Sequence, residues 1–118
     1  MRLPIQYALF YPDRRPLGTK RVDFFKLAQI TFEEPDMETF TGLKLAYRAA
    51  GEGGSMPTVF NAANEKAVAL FLDGKIKYLD IPAVIEETMA RHVTIISPSV
   101  EQILETEQWV YEFISSRE

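Results

Sequence analysis

Residues 57–74, Pro-Thr-Val-Phe-Asn-Ala-Ala-Asn-Glu-Lys-Ala-Val-Ala-Leu-Phe-Leu-Asp-Gly, constrain the fold most tightly, because one run holds both ends of a helix and an unusual polar face. Ser55 stands where a cap is expected, Pro57 falls in the first turn, and Gly74 is the residue type favoured just past a helix C-terminus. Phe60, Ala63, Ala67, Leu70 and Phe71 are spaced to form the buried stripe. Asn61, Asn64 and Glu65 share a helical face, since positions three and four apart are neighbours. Asparagine is a poor choice for a helix interior because its amide competes for the backbone, so something outside the helix is expected to use that face.

The flanking segments read as more helix. Met1 to Tyr11 is mostly apolar, with Pro4 placed as a first-turn residue, and Pro12, Pro16 and Gly18 then break any regular element. Val22, Phe24, Phe25, Leu27, Ile30 and Phe32 are too apolar for a free linker, and Ile30 to Phe32 is expected as a short strand pressed against a core. Phe40 to Ala50 marks a helix stopped by Gly51, Gly53 and Gly54. Past Gly74, Ile76 to Ile81 reads as an extended connection, Pro82 opens a helix running to about Arg91, and Val93 to Ile96 is a β-branched run. Ser99 caps the final helix, with Gln102 placed for a capping box. Val100, Ile103, Leu104, Val110, Tyr111 and Ile114 converge on one face of it. Trp109 and Phe113 lie off that stripe, stacked at four-residue spacing, to be covered either by a neighbouring segment of this chain, such as the Phe24-Phe25 strip, or by another domain or subunit. The predicted fold is mainly α: a small bundle of about four helices, preceded by an extended linker with a short strand.

Composition excludes several function classes. At 118 residues the chain suits one domain with a modest core, and no run approaches the roughly 18 apolar residues of a membrane span. A net charge of -4 argues against nucleic acid as a partner, and the one basic cluster, Arg14, Arg15, Lys20 and Arg21, reads as a solvated linker. Without cysteine there is no disulfide, thiolate metal site or cysteine nucleophile, and without an export signal the expected setting is the cytoplasm.

Catalytic constellations are thin. His92 is the sole histidine, which rules out a multi-histidine metal site and leaves a capping or packing role. The acidic run Glu33, Glu34, Asp36 and Glu38 surrounds Pro35 and lacks the loop pattern of a calcium hand. Glu86 and Glu87 are adjacent on a helix and diverge, a poor geometry for an acid–base pair. No phosphate-binding glycine motif or nucleophile elbow occurs. The residues by themselves describe a helical module with one unexplained polar face.

Four blocks carry a resemblance: Met-Arg-Leu-Pro-Ile-Gln-Tyr-Ala-Leu at 1–9, Leu-Ala-Gln-Ile-Thr-Phe-Glu-Glu-Pro-Asp at 27–36, Leu-Lys-Leu-Ala-Tyr at 43–47 and Asn-Ala-Ala-Asn-Glu at 61–65. In order and with compatible spacing, they resemble the C-terminal region of the 1-deoxy-D-xylulose 5-phosphate reductoisomerases. That family uses NADPH and a divalent metal, magnesium or manganese, to rearrange and reduce deoxyxylulose phosphate to methylerythritol phosphate in isoprenoid precursor synthesis. The resemblance implies that residues 1–38 are the end of the catalytic domain and the linker, and that residues 39–118 are the C-terminal helical domain. It implies that the dinucleotide domain, the metal-binding acids and the substrate-gripping residues precede this chain, whose role is then structural. Met1 is the one position to which a cofactor contact carries over, near the nicotinamide of NADPH. The implied partners are the upstream domains of the same enzyme, and the complete enzyme is expected as a homodimer. The alternative is a free-standing helical interaction module. Two structural expectations follow from the helix reading. Phe60→Ala or Phe71→Ala should cost about 3 to 5 kcal/mol, and Asn61 and Asn64 should bind main-chain groups of the preceding linker.

Overall fold

The computed structural model describes residues 1–116, so the final positions of the expected 39–118 domain lie outside the described residues. The chain forms two compact units, Met1–Glu33 and Glu34–Glu118.

In the first unit, α1 (Arg2–Phe10) starts from Met1 with Pro4 in its first turn, where a missing N–H leaves no bond unmade. The following segment folds back on α1: Gln6 Nε2 donates to the Pro16 carbonyl at 3.0 Å. The Arg14 guanidinium lies 3.6 Å from the centre of the Tyr7 ring, and that of Arg15 lies 4.2 Å from Phe10. These two arginines, expected to be merely solvated, are therefore cation–π partners of α1. The strand expected at Ile30 to Phe32 is not formed. Among the described residues there is no strand, and Ile30 and Phe32 are exposed. An isolated extended segment has no ladder to bond its backbone. The regular structure here is instead the single turn α2 (Phe24–Leu27), capped by Asp23, whose carboxylate accepts from the Phe25 and Lys26 amides at 3.1 and 3.2 Å.

The second unit is the expected bundle of four helices: α3 (Thr41–Glu52), α4 (Met56–Leu72), α5 (Asp80–Arg91) and α6 (Val100–Ser115). α4 is its centre and packs against each of the other three. Its buried residues are Met56, Val59, Ala62, Ala63, Ala67 and Leu70. The helix ends as its glycine predicts. Gly74 sits at φ +73, its amide donates to Phe71 O at 3.0 Å, and the Lys75 amide donates to Leu70 O at 2.9 Å, the two bonds of a Schellman motif. The capping box of α6 also forms, with Ser99 Oγ accepting from the Gln102 amide and Gln102 Oε1 accepting from the Ser99 amide.

Several details differ from the sequence reading. The connection 76–81 is a tight turn in place of an extended segment, since the Asp80 carboxylate accepts from the Lys77 amide at 2.8 Å and α5 begins two residues before Pro82. α3 runs through Gly51 and stops at Gly53, which adopts φ +70. On α4 the buried arc is set by small residues, so Phe60 is only partly buried and Phe71 is at the surface, 37% exposed, with its ring edge-on to Tyr78 at 5.9 Å. Phe71→Ala should therefore cost about 1 kcal/mol, the scale of an aromatic pair, in place of a core loss. A urea melt showing about 3 kcal/mol or more would put the ring back in the core.

On α6 the stripe is displaced. Val100 and Leu104 are exposed, while Thr106, Val110 and Ile114 are buried and Trp109 and Phe113 pack against the core. The spacing 106, 109, 110, 113, 114 is itself a helical stripe. Trp109 and Phe113 do stack, with ring centres 5.5 Å apart, and both are half-buried against the bundle's own core. The ring against Trp109 is that of His92, 5.5 Å away, so a segment of the same chain lies against it.

Candidate functional site

The polar face of α4 resolves into two parts. Asn61 Nδ2 donates to Glu65 Oε1 at 3.3 Å, so its amide is held on its own helix and not by linker main chain. Glu65 Oε2 in turn lies 3.2 Å from the Tyr111 hydroxyl of α6, which lies equally close to Glu107 Oε1. A phenol has one proton, so it bonds one carboxylate at a time. Burial pushes the Tyr111 hydroxyl up to about 12, and the bond to Glu65 and the charges of Glu107 and Glu65 add to the effect. At ordinary pH this group is a neutral strut between α4 and α6.

Asn64 stands apart. It is half-buried in the wall of a cavity of about 620 Å³, whose other walls include Phe40, Leu43, Phe60, Val68, Tyr78 and Ile81. This is an apolar groove with one amide in it, suited to holding an apolar segment and unsuited to acid–base chemistry.

The other polar constellation joins two loops. Ser55, expected to cap α4, does not: its backbone is helical at φ -83 and ψ -8, and its side chain makes no capping bond. The hydroxyl lies 2.7 Å from His92 Nε2 and accepts from the Ile95 amide at 2.9 Å. The Ser55 amide donates to the Ile95 carbonyl at 2.9 Å. A serine beside an imidazole is the geometry of an activated nucleophile. Ser55, however, is fully buried at 0% exposure, so no substrate reaches it, and the pair is a tie between loops. Burial holds the His92 imidazole below its ordinary value of 6.5, outweighing the opposite pull of Glu52. The lone histidine thus has the packing role expected of it. The serine's part in it was hidden because its sequence setting, ahead of a proline in a helix start, fits a cap equally well.

The remaining expected positions are dispersed. Met1 is the N-cap residue of α1 and is 92% exposed. In the acidic run, Asp36 accepts from the Glu38 and Thr39 amides at 3.1 and 2.9 Å. Hydrogen bonding from Thr39 holds its carboxyl below the usual range, which makes it a turn former. Glu86 is exposed while Glu87 faces a separate cavity beside Lys75 and Thr88. Among the described residues no three His, Asp or Glu side chains are grouped to hold a metal ion.

Comparison with known proteins identifies the family. The profile of the DXP reductoisomerase C-terminal domain matches residues 1–113. The 1-deoxy-D-xylulose 5-phosphate reductoisomerase of Lachnospira eligens is 65% identical over 117 residues, which are 99% of this chain and 31% of that enzyme. That of Agathobacter rectalis is 58% identical over the same share of each chain. Among solved structures, 1-deoxy-D-xylulose 5-phosphate reductoisomerase from Zymomonas mobilis in complex with NADPH matches with a TM-score of 0.84 at 40% identity, over 98% of this chain and 30% of that one. The chain therefore spans about 31% of the length of these two relatives. Aligned with them from end to end, the chain belongs to the DXP reductoisomerase C-terminal domain family.

Proposed function

We propose that this chain is the C-terminal region of a 1-deoxy-D-xylulose 5-phosphate reductoisomerase and that it works there as a support for the catalytic domains. In that reading residues 1–38 complete the catalytic domain and linker, and residues 39–118 form the helical domain behind them. The observation that carries the structural role is the surface of the first unit. None of residues 1–33 is buried, and Leu9, Phe24, Phe25 and Phe32 are 76%, 77%, 99% and 92% exposed. Apolar surface displayed in this way marks an interaction site. Its occupant in this reading is the upstream part of the same enzyme, which the relatives possess and this chain does not span.

The proposal extends to NADPH as hydride donor and to magnesium or manganese as the activating metal, both held by the upstream domains. The donor set here does not fit either: no metal-holding group of carboxylates or histidine is formed among the described residues, and the sequence has no phosphate-binding loop. Met1, exposed at the start of α1, is the position proposed to approach the nicotinamide. A homodimeric enzyme in the cytoplasm completes the reading; no described helix is long and apolar enough to cross a membrane.

The test is a chimaera in which this chain replaces the matching segment of the Lachnospira eligens enzyme. Metal-dependent NADPH oxidation that requires 1-deoxy-D-xylulose 5-phosphate is expected from the chimaera, and none from the chain alone. Turnover by the purified chain, or a folded chimaera that binds NADPH without turning over, would overturn the proposal.

A further inference from the structure

The connections between α3 and α4 and between α5 and α6 meet at three hydrogen-bond contacts, two between Ser55 and Ile95 and one between Ser55 and His92. Because Ser55 Oγ already accepts from the Ile95 amide, its single proton is the one available to His92. Nε2 of the imidazole must then offer a lone pair, with the ring proton on Nδ1. A protonated imidazole has no lone pair to offer. Ser55 Oγ could accept a second N–H, but its own proton would then be stranded at a site with 0% exposure. The contact is therefore compatible with only one protonation state of the ring.

His92 is also within reach of solvent protons. It is half-buried in the wall of a small cavity of about 350 Å³, shared with Arg91, Gln102, Glu105 and Trp109. The charged groups around it are Glu52 of α3, Arg91 of α5 and Glu105 of α6. Glu52 is engaged by the Thr94 hydroxyl and is the carboxylate whose charge favours a protonated ring. We propose that His92 is a proton-controlled latch: neutral, it locks the α5–α6 connection to the start of α4 through Ser55, and protonated, it releases that connection.

The direction follows from linkage. Burial places the folded-state pKa of His92 below its ordinary value of 6.5, so the released or unfolded chain binds the proton more readily. The latch is fully closed above that ordinary value and opens as pH falls from it through the lower folded-state pKa.

Trp109 is the sole tryptophan, and its ring centre lies 5.5 Å from that of His92. Since a protonated imidazole quenches indole emission, fluorescence of the whole chain reads the latch directly. Titrating from about pH 8 to about pH 5, we expect quenching with one inflection below 6.5 and, over the same range, faster hydrogen exchange of the Ile95 amide. Ser55→Ala removes the donor to the neutral ring and should move the inflection up toward 6.5. His92→Gln keeps an acceptor for Ser55 without a titrating group, so it should fold and show neither change. Emission that is flat in the parent chain would overturn the proposal. So would an unchanged inflection in His92→Gln, or an Ile95 amide whose exchange does not follow the quenching.

Discussion

Gly54→Ala should destabilise the helical unit by about 2 to 5 kcal/mol, although a single methyl group is added at an exposed position. Gly54 adopts φ +56, and a Cβ built on it would stand 2.3 Å from the Ile95 carbonyl oxygen and 3.1 Å from Thr94 Cγ2. Neither neighbour can yield freely, because that carbonyl is the acceptor for the buried Ser55 amide and Thr94 is bonded to Glu52. Left-handed backbone costs an alanine about 1 to 2 kcal/mol, and overpacking adds about 1 to 3. Gly51→Ala is the matched control. It lies within α3 with nothing within 4 Å of the added methyl group, so it should stabilise by about 0.5 to 1 kcal/mol through the usual helix preference. Urea melts of the two variants should move in opposite directions. A Gly54→Ala chain within about half a kcal/mol of the parent would show that the two loops do not meet as closely as described.

Ile85→Ala is the second large effect, at about 2 to 5 kcal/mol. Ile85 is 2% exposed on α5, in the buried cluster that also holds Ala49, Ala62 and Ala63, and it borders the cavity of about 620 Å³. The cost depends on how far the surrounding side chains can move in to refill the space. Ile85→Val, which removes one methylene group, should cost about 0.5 to 1.5 kcal/mol. A small domain holds about 5 to 15 kcal/mol in all, so the alanine variant is expected to be partly unfolded at warm temperatures. Thermal and urea melts check the series. Equal stabilities for the alanine and valine variants would mean that neighbouring helices close the gap.

What could be read in advance was chemistry contained within a few residues. The Ser99–Gln102 box and the Gly74 stop each depend on neighbours in sequence, and both formed as expected. The resemblance blocks led to the family for a similar reason, since they are runs of contiguous residues. What escaped depended on distant partners. The arc of α4 that faces inward is chosen by α3, α5 and α6 together, and they selected Val59, Ala62 and Ala63 over the bulkier Phe71. On α6 the first turn is exposed despite its aliphatic residues, and burial starts at Thr106, whose hydroxyl is satisfied by the Gln102 carbonyl. Ser55 had a local use as a cap and a distant one with His92 and Ile95, and the distant one prevailed because it satisfies a buried amide as well as the hydroxyl. Asn61 and Glu65 were recognisable as a shared polar face; that Tyr111 would join it from α6 could not be read from spacing along α4.

The alanines of α4 also bear on how this domain can change over time. Ala62, Ala63 and Ala67 are 0–1% exposed, so along the middle of its buried face α4 meets its surroundings largely through methyl groups. Enlarging any of them would act as a wedge, because an interior packed at crystal-like density has no slack in which to absorb a longer side chain. α3 and α6 each adjust against two neighbours, whereas α4 and α5 each meet three. Tolerance to substitution should therefore be graded by radius, permissive along the outer faces of α3, α5 and α6 and nearly closed along the axle, so that lineages diverge by redecorating the rim while keeping the same hub.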